Sequence, residues 1–485
     1  MTQHENSTGL SRRTLLSSAG IAAGGAAAAG AFGVPRAHAV TPDIVLDRSV
    51  RHQPIDGFGA SFAGSMERVG KDPAFDDTRA DIVDLLYSPT QGIGLNIARM
   101  QIGCFSRSQR PGEGNTTIFS HWQEEDGPFN WTSDKSQVWA AQHALSVNPD
   151  VTFVATPWSA PYWMKDINSC RGILDGVEGH LKPDYYDTYG TYLAAYVKNY
   201  PIEHGIPIDY VSIQNEPGVR ASYQGCIWTV DEYAQGLKAV AAKFEEEGLS
   251  AKLFGSEDGG FQRTKQNVEY LHADPDAWDC LDIVASHCYG VPVQAWRQSM
   301  ETHGKPFWMT ERTEYAAAYT NALDVAERMF WMLTAHNAQA YLYWLGVIYP
   351  SRNDLTGPVA LIGANEQGEY APNKKFYMMG HYSKFIGRGH VRIDASGSTD
   401  DFLVTSFTNP AGHRAVTVII NRSGGSLTRT IGGLEGRALH QYRTSENENE
   451  NIKQLDSIRV TDDGQATVTI PANSVVTLVE LGGRP

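Results

Sequence analysis

Two hydrophobic rhythms divide this chain. From about residue 56 to residue 384, short apolar runs rich in β-branched and aromatic residues alternate with longer segments whose apolar positions recur at helical spacing. The runs fall at 55–62, 94–100, 151–155, 210–213, 252–256, 281–286, 305–311 and 339–344. Helical spacing fills 77–87, 134–147, 183–200 and 321–336, and a further helix opens on the capping box Thr229-x-x-Glu232 and stops at Gly248. Strands alternating with crossover helices predict a parallel sheet, and eight of them predict a (β/α)8 TIM barrel. After about Phe385 the helical spacing ends. Short runs at 402–408, 415–421, 427–431, 438–443 and 475–481, separated by polar turns, predict an attached C-terminal β-sandwich.

The expected division is a leader at 1–39, an N-terminal strand or two at 40–55 joining the β-domain, a barrel at 56–384 and a sandwich at 385–485. The leader reading rests on paired Arg12 and Arg13, an Ala/Gly-rich apolar run, and the small-x-small site Ala37-His38-Ala39. Paired arginines before such a run resemble a twin-arginine export signal, so a secreted protein free of the membrane after cleavage is expected. The formal net charge of -15 argues against nucleic acid or an anionic membrane as partner, since both require basic patches. Five cysteines without CxxC spacing argue against zinc. Cys170 and Cys226, both in loops after strands, are the candidate disulfide.

A barrel carries its chemistry at the C-terminal ends of its strands. Arg99, Asn215, Glu216, His287, Tyr289, Glu311 and Trp344 all fall there, and Trp158 opens a rigid aromatic loop after the third strand. A lone glutamate at a strand end is usually a capping or salt-bridged residue. Two, at Glu216 before Pro217 and at Glu311 after Trp308-Met309-Thr310, suggest the carboxylate pair of glycoside hydrolysis. Glu216 is then the acid/base and Glu311 the nucleophile. Arg99 and Tyr289 support Glu311, Asn215 binds a sugar hydroxyl, Trp158 and Trp344 offer stacking faces, His287 is a hydrogen-bonding residue, and all six are expected to bind substrate. Glu257 is the rival carboxylate. Gly57-x-Gly59 lacks the third glycine of a dinucleotide loop, and no GxSxG elbow, P-loop or metal-ligand spacing occurs, so no cofactor and no metal are expected.

The ordered motifs Ile55-Asp56-Gly57-Phe58-Gly59-Ala60-Ser61-Phe62, Trp158-Ser159-Ala160-Pro161-x-Trp163-Met164-Lys165, Gln214-Asn215-Glu216-Pro217 and Trp308-Met309-Thr310-Glu311 resemble glycoside hydrolase family 30. The resemblance implies a retaining β-glycosidase with its acid/base at Glu216, its nucleophile at Glu311, and a β-sandwich packed beside the barrel. The first motif is similar to the glucosylceramidase and β-1,6-glucanase branch, and residues 139–165 are closer to endo-β-1,6-galactanases. The expected substrate is an oligo- or polysaccharide, with endo action on a β-1,6-linked galactan or glucan, by a monomer. The alternatives are an exo-β-glycosidase, a xylanase, or a carbohydrate-binding protein without catalysis.

Overall fold

The apolar runs become barrel strands because both of their faces are covered. In the computed structural model, which describes residues 41–104, 119–290, 296–348, 355 and 357–483, eight parallel strands close on themselves. They are Gly57–Ser61, Ile97–Ile102, Thr152–Pro157, Tyr210–Ser212, Lys252–Asp258, Ile283–His287, Phe307–Glu311 and Ala340–Tyr343. Each pairs with the next, and the eighth returns to the first with Ala340 opposite Gly57. Alternate side chains (Ile97, Val154, Phe254, Ile283, Ala285, Trp308, Ala340 and Leu342) plug the interior. Their neighbours Ala98, Met100, Val211, Val284, Met309 and Tyr341 pack outward under the helices. This double burial is what a parallel sheet in a barrel requires.

Boundaries differ from the sequence expectation at informative places. The second strand starts at Ile97, because Gly94 takes φ +62° and the Asn96 side chain accepts from the Phe58 N–H. The fourth strand ends at Ser212, so Glu216 stands beyond it in the loop. The capping box is formed. The Thr229 hydroxyl accepts from the Glu232 N–H at 3.2 Å, and the Glu232 carboxylate accepts from the Thr229 N–H at 2.6 Å. The helix expected over 183–200 starts at Tyr186 and runs through Pro201 to His204, where Gly205 at φ +69° stops it.

The C-terminal region is β-rich, and strands at Val391–Ala395, Lys453–Arg459 and Ala466–Ile470 join those anticipated. Strand Ile44–Pro54 pairs antiparallel with Val391–Ala395 and, at Ile44 and Val45, parallel with Leu427–Gly432. It thereby links the two layers. Phe402, Val404, Ile419, Val476 and Leu478 face the sandwich's own core. Leu403, Phe407, Val416, Val418, Ile420 and Val479, one position out of phase, join the core of the barrel helices. His381, on helix Lys374–Ser383, bonds to Thr477 at 2.8 Å and Thr444 at 2.9 Å across this junction.

The expected disulfide is corrected. Cys104 pairs with Cys170, with Cα atoms 6.1 Å apart, and Cys226 is a free, buried thiol. Cys104 and Cys170 follow the adjacent second and third barrel strands, whereas Cys226 is committed to the hydrophobic core. Among the described residues no helix is long and apolar enough to cross a membrane. The export signal expected at residues 1–39 lies outside the described residues.

Candidate active site

The seventh strand ends on Glu311, buried to 5% exposure. Glu216 reaches the same space from the loop after the fourth strand. The Asn215 N–H donates to Pro157 O at 2.9 Å, the Glu216 N–H to Glu257 O at 3.0 Å, and the Val219 N–H to Glu216 O at 2.9 Å. These bonds hold Glu216 at φ +48°, a left-handed conformation that a side chain-bearing residue keeps only where its surroundings enforce it. One carboxylate oxygen of Glu216, one of Glu311 and a ring nitrogen of His287 lie within 4.8 Å of one another.

Two cations sit beneath. Arg99, wholly buried, donates through Nη1 to Glu311 Oε2 at 2.7 Å and through Nη2 to Asn215 Oδ1 at 2.7 Å. Its Nη2 is also 3.2 Å from Glu257 Oε1. The guanidinium lies 4.6 Å from the centre of the Trp158 ring. Because a guanidinium only donates, Asn215 must present its oxygen to Arg99, which leaves its amide hydrogens for the cavity. His287 Nδ1 is 3.0 Å from Glu216 Oε1 and 3.8 Å from Glu311 Oε1, and its Nε2 is 3.7 Å from Glu257 Oε1.

Three carboxyl groups therefore face two basic groups. Burial alone lowers the His287 pKa, but Glu311, Glu216 and Glu257 override it and push the imidazole up to about 10. Burial raises the Glu257 carboxyl, yet Arg99 and His287 pull it down to about 2. It is a permanent counter-ion. Burial likewise raises Glu216, where the His287 hydrogen bond and charge outweigh it and leave the carboxyl below its ordinary value. Glu311 lies above its ordinary value, since burial exceeds the pull of His287 and Arg99 and the Glu216 charge adds to it. The two carboxyl groups are thus shifted in opposite directions, Glu216 down and Glu311 up. Glu216, His287 and Glu311 are the one cluster of metal-ligand type among the described residues.

Above this floor opens a cavity of about 740 Å³. Trp158, Asn215, Glu216, Tyr289, Glu311 and Trp344 all line it, so the structure brings six of the eight expected residues together. The Tyr289 hydroxyl donates to Glu311 Oε1 at 3.1 Å, and the Trp158 and Trp344 rings lie 5.8 Å apart. Arg99 and His287 correct the expectation that they touch substrate. Both are wholly buried, outside the lining, and reach the cavity only through the carboxylates they hold. Glu257, the rival carboxylate, is equally inaccessible, with Thr156 donating to its Oε2 at 3.1 Å.

Sequence reasoning missed Tyr223, Tyr315, Arg68 and Arg263, which also line the cavity. Tyr223 and Tyr315 come from loops, Arg263 from the first turn of helix Phe261–Ala273, and Arg68 from the last turn of the short helix Ala63–Lys71, places where no period marks which way a side chain faces. The one available signal was the exposure expected of aromatic residues in polar loops, which Tyr223 (41%) and Tyr315 (68%) bear out.

Residues 55–384 match the family model described as glycosyl hydrolase family 59, and residues 389–478 match that of the glycosyl hydrolase family 30 beta sandwich domain. A glucuronoxylanase of Bacillus subtilis is 27% identical over 334 residues, covering 67% of this chain and 73% of the relative. An endo-1,6-beta-D-glucanase of Aspergillus fumigatus is 27% identical over 430 residues, covering 80% of this chain and 82% of the relative. The solved catalytic domain of a family 30 xylanase C from Talaromyces cellulolyticus aligns with a TM-score of 0.76 at 24% identity, over 90% of this chain and 99% of that one.

Proposed function

We propose that this chain, which belongs to glycosyl hydrolase family 59 through its barrel and carries a family 30 β-sandwich, is a retaining β-glycoside hydrolase that cuts within a β-1,6-linked galactan or glucan. The observation that carries the reading is the closeness of the carboxyl groups, whose oxygens come within 4.8 Å. Retaining enzymes hold the pair about 5–5.5 Å apart for direct attack, whereas inverting enzymes leave about 6.5–9.5 Å for a water.

The roles follow from what each group touches. Glu311 is gripped on both oxygens, by Arg99 and by Tyr289, which fixes its direction of attack. Positive charge developing at the anomeric carbon favours Glu311 as an anion. A glycosidic oxygen has lone pairs and no hydrogen, so Glu216 gains from touching it only when protonated. The reactive form therefore has Glu216 protonated and Glu311 ionised. Glu311 then attacks the anomeric carbon while Glu216 protonates the leaving oxygen, giving a covalent glycosyl-enzyme. Water, deprotonated by Glu216, breaks that ester and restores both groups. The Asn215 amide, aimed by Arg99, suits the sugar 2-hydroxyl, whose hydrogen bond strengthens in the transition state.

The β-1,6-glucanase relative over 80% of the chain supports the linkage, and the leader pattern at residues 11–39 supports export. A second reading, an endo-enzyme on acidic xylan, draws on the glucuronoxylanase relative and on Arg68 and Arg263 in the cavity wall, which suit a uronate. Incubation with β-1,6-glucan, β-1,6-galactan, glucuronoxylan and β-1,3-glucan, with Glu311→Gln as blank, separates them. Oligosaccharides from a β-1,6-linked polymer support the first reading. Products from xylan alone replace it with the second, and monosaccharide alone overturns endo action.

A further inference from the structure

Tyr223 is out of place for an ordinary aromatic residue. It is 41% exposed at the cavity mouth, and its hydroxyl donates to Glu216 Oε2 at 3.3 Å. The other Glu216 oxygen is taken by His287, so the two donors together fix the turn of the carboxyl group. The Tyr223 loop has no regular secondary structure of its own to hold it. Its backbone is instead laced to the segment following the third barrel strand. Gly172 N donates to Tyr223 O at 3.1 Å, Ile173 N to Ala221 O at 2.9 Å, and Gly225 N to Cys170 O at 2.9 Å. The next side chain along, Gln224, donates to Cys104 O at 2.9 Å. Both residues of the Cys104–Cys170 disulfide thus accept a hydrogen bond from one of the two residues that follow Tyr223.

We infer that Tyr223 is the positioning residue of Glu216 and that the Cys104–Cys170 disulfide holds it at its station. The inference rests on the reading of Glu216 as acid/base. A phenol that donates to a carboxylate favours the ionised form, which is the form Glu216 reaches after giving up its proton and uses to activate water. Tyr223 therefore matters most when the leaving group needs full protonation. Glu216 also faces His287, Glu311, Arg99, Glu257, Tyr289 and Tyr315, all of which Tyr223→Phe leaves in the sequence.

Tyr223→Phe keeps the ring and removes the hydroxyl. The loss of one hydrogen bond lowers kcat/KM on substrates with poor leaving groups about two- to tenfold. Activated aryl glycosides change little, and the basic limb of the pH profile moves to higher pH. An unmoved or lowered basic limb, or an equal loss on both substrate types, overturns the inference. A readout independent of turnover is 13C NMR titration of labelled glutamate carboxyls, with Glu216 assigned from Glu216→Gln. Its midpoint rises in Tyr223→Phe, and an unchanged midpoint is contrary to the inference. Paired Cys104→Ser and Cys170→Ser substitutions raise the same midpoint, and raise it no further when Tyr223 is already Phe. Reduction of the folded parent protein repeats that arm without a change of sequence. A midpoint indifferent to the disulfide overturns the tether. Silence of the parent protein on every glycoside overturns the proposed function, while the titration still decides the role of Tyr223.

Discussion

Replacing Arg99 with methionine removes a guanidinium that three side chains share. Arg99 is wholly buried, 2.7 Å from Glu311, 2.7 Å from Asn215 and 3.2 Å from Glu257. Methionine fills a similar path without charge, so two buried carboxyl groups lose a partner. Glu257 sets the magnitude. Burial raises it, but Arg99 and then His287 hold it at about 2, against an ordinary 4.5. At about 1.36 kcal/mol per unit, that gap corresponds to about 3 kcal/mol of stability at neutral pH. Breaking a buried pair from one side costs about 3–5 kcal/mol by independent reckoning. Arg99→Met is therefore destabilised by about 3–5 kcal/mol at neutral pH. The sign of the pH dependence follows from the lowered pKa. The contribution is present in full above the unfolded value and is lost as pH falls from about 4.5 toward about 2. The difference between parent and variant thus narrows in acid. Urea unfolding at neutral pH and again at about pH 3.5 measures it. A variant as stable as the parent at neutral pH, or a gap that stays constant in acid, refutes the reasoning.

Glu216→Ala is expected to keep turnover of activated aryl glycosides and, with azide, to release a β-configured glycosyl azide, seen by NMR; an α-azide contradicts retention. Burial, offset only in part by Ser256, Arg263 and Asn267, pushes the Asp258 carboxyl up to about 6. Its contribution is full below its unfolded value of 3.8 and declines as pH rises through about 6, so Asp258→Asn flattens the fall of Tm across that window. Ending the chain after residue 388 removes Leu403, Phe407, Val416, Val418, Ile420, Val475 and Val479 from the barrel-side core. At about 1.5–3 kcal/mol per buried side chain, the loss is of the order of 10 kcal/mol or more. The shortened chain is expected to be insoluble, and a soluble, active fragment speaks against a shared core.

The barrel was legible because parallel strands covered on both faces are largely apolar, with their polar residues gathered toward the C-terminal end, as in Ile97–Ile102 and Phe307–Glu311. Depth was not legible. Arg99 and His287 occupy strand ends, where polar residues point toward the site, yet sequence period does not tell the floor from the layer beneath it. Glu257 went to that layer for the same reason. Tyr223 was hidden because its position depends on hydrogen bonds to a loop some 50 residues earlier in the chain. The disulfide was misassigned because three cysteines follow neighbouring strands, and loop geometry alone decides which two meet. In the C-terminal domain, Lys453–Arg459 escaped notice as an edge strand in which no residue is buried, so the apolar signal is absent. The resemblance to family 30 holds for the β-sandwich model, while the barrel matches the family 59 model.

The central claim is that Glu311 forms a covalent bond to the sugar. A 2-deoxy-2-fluoro-β-glycoside with a good leaving group slows both steps of retaining catalysis, the second most, and so traps the intermediate. After incubation and pepsin digestion, mass spectrometry should show one fluorosugar on the peptide that contains Glu311. The same peptide from Glu311→Gln should carry none. An adduct on a peptide holding Glu216 or Glu257 instead, or hydrolysis without any adduct and with an inverted product, contradicts the account.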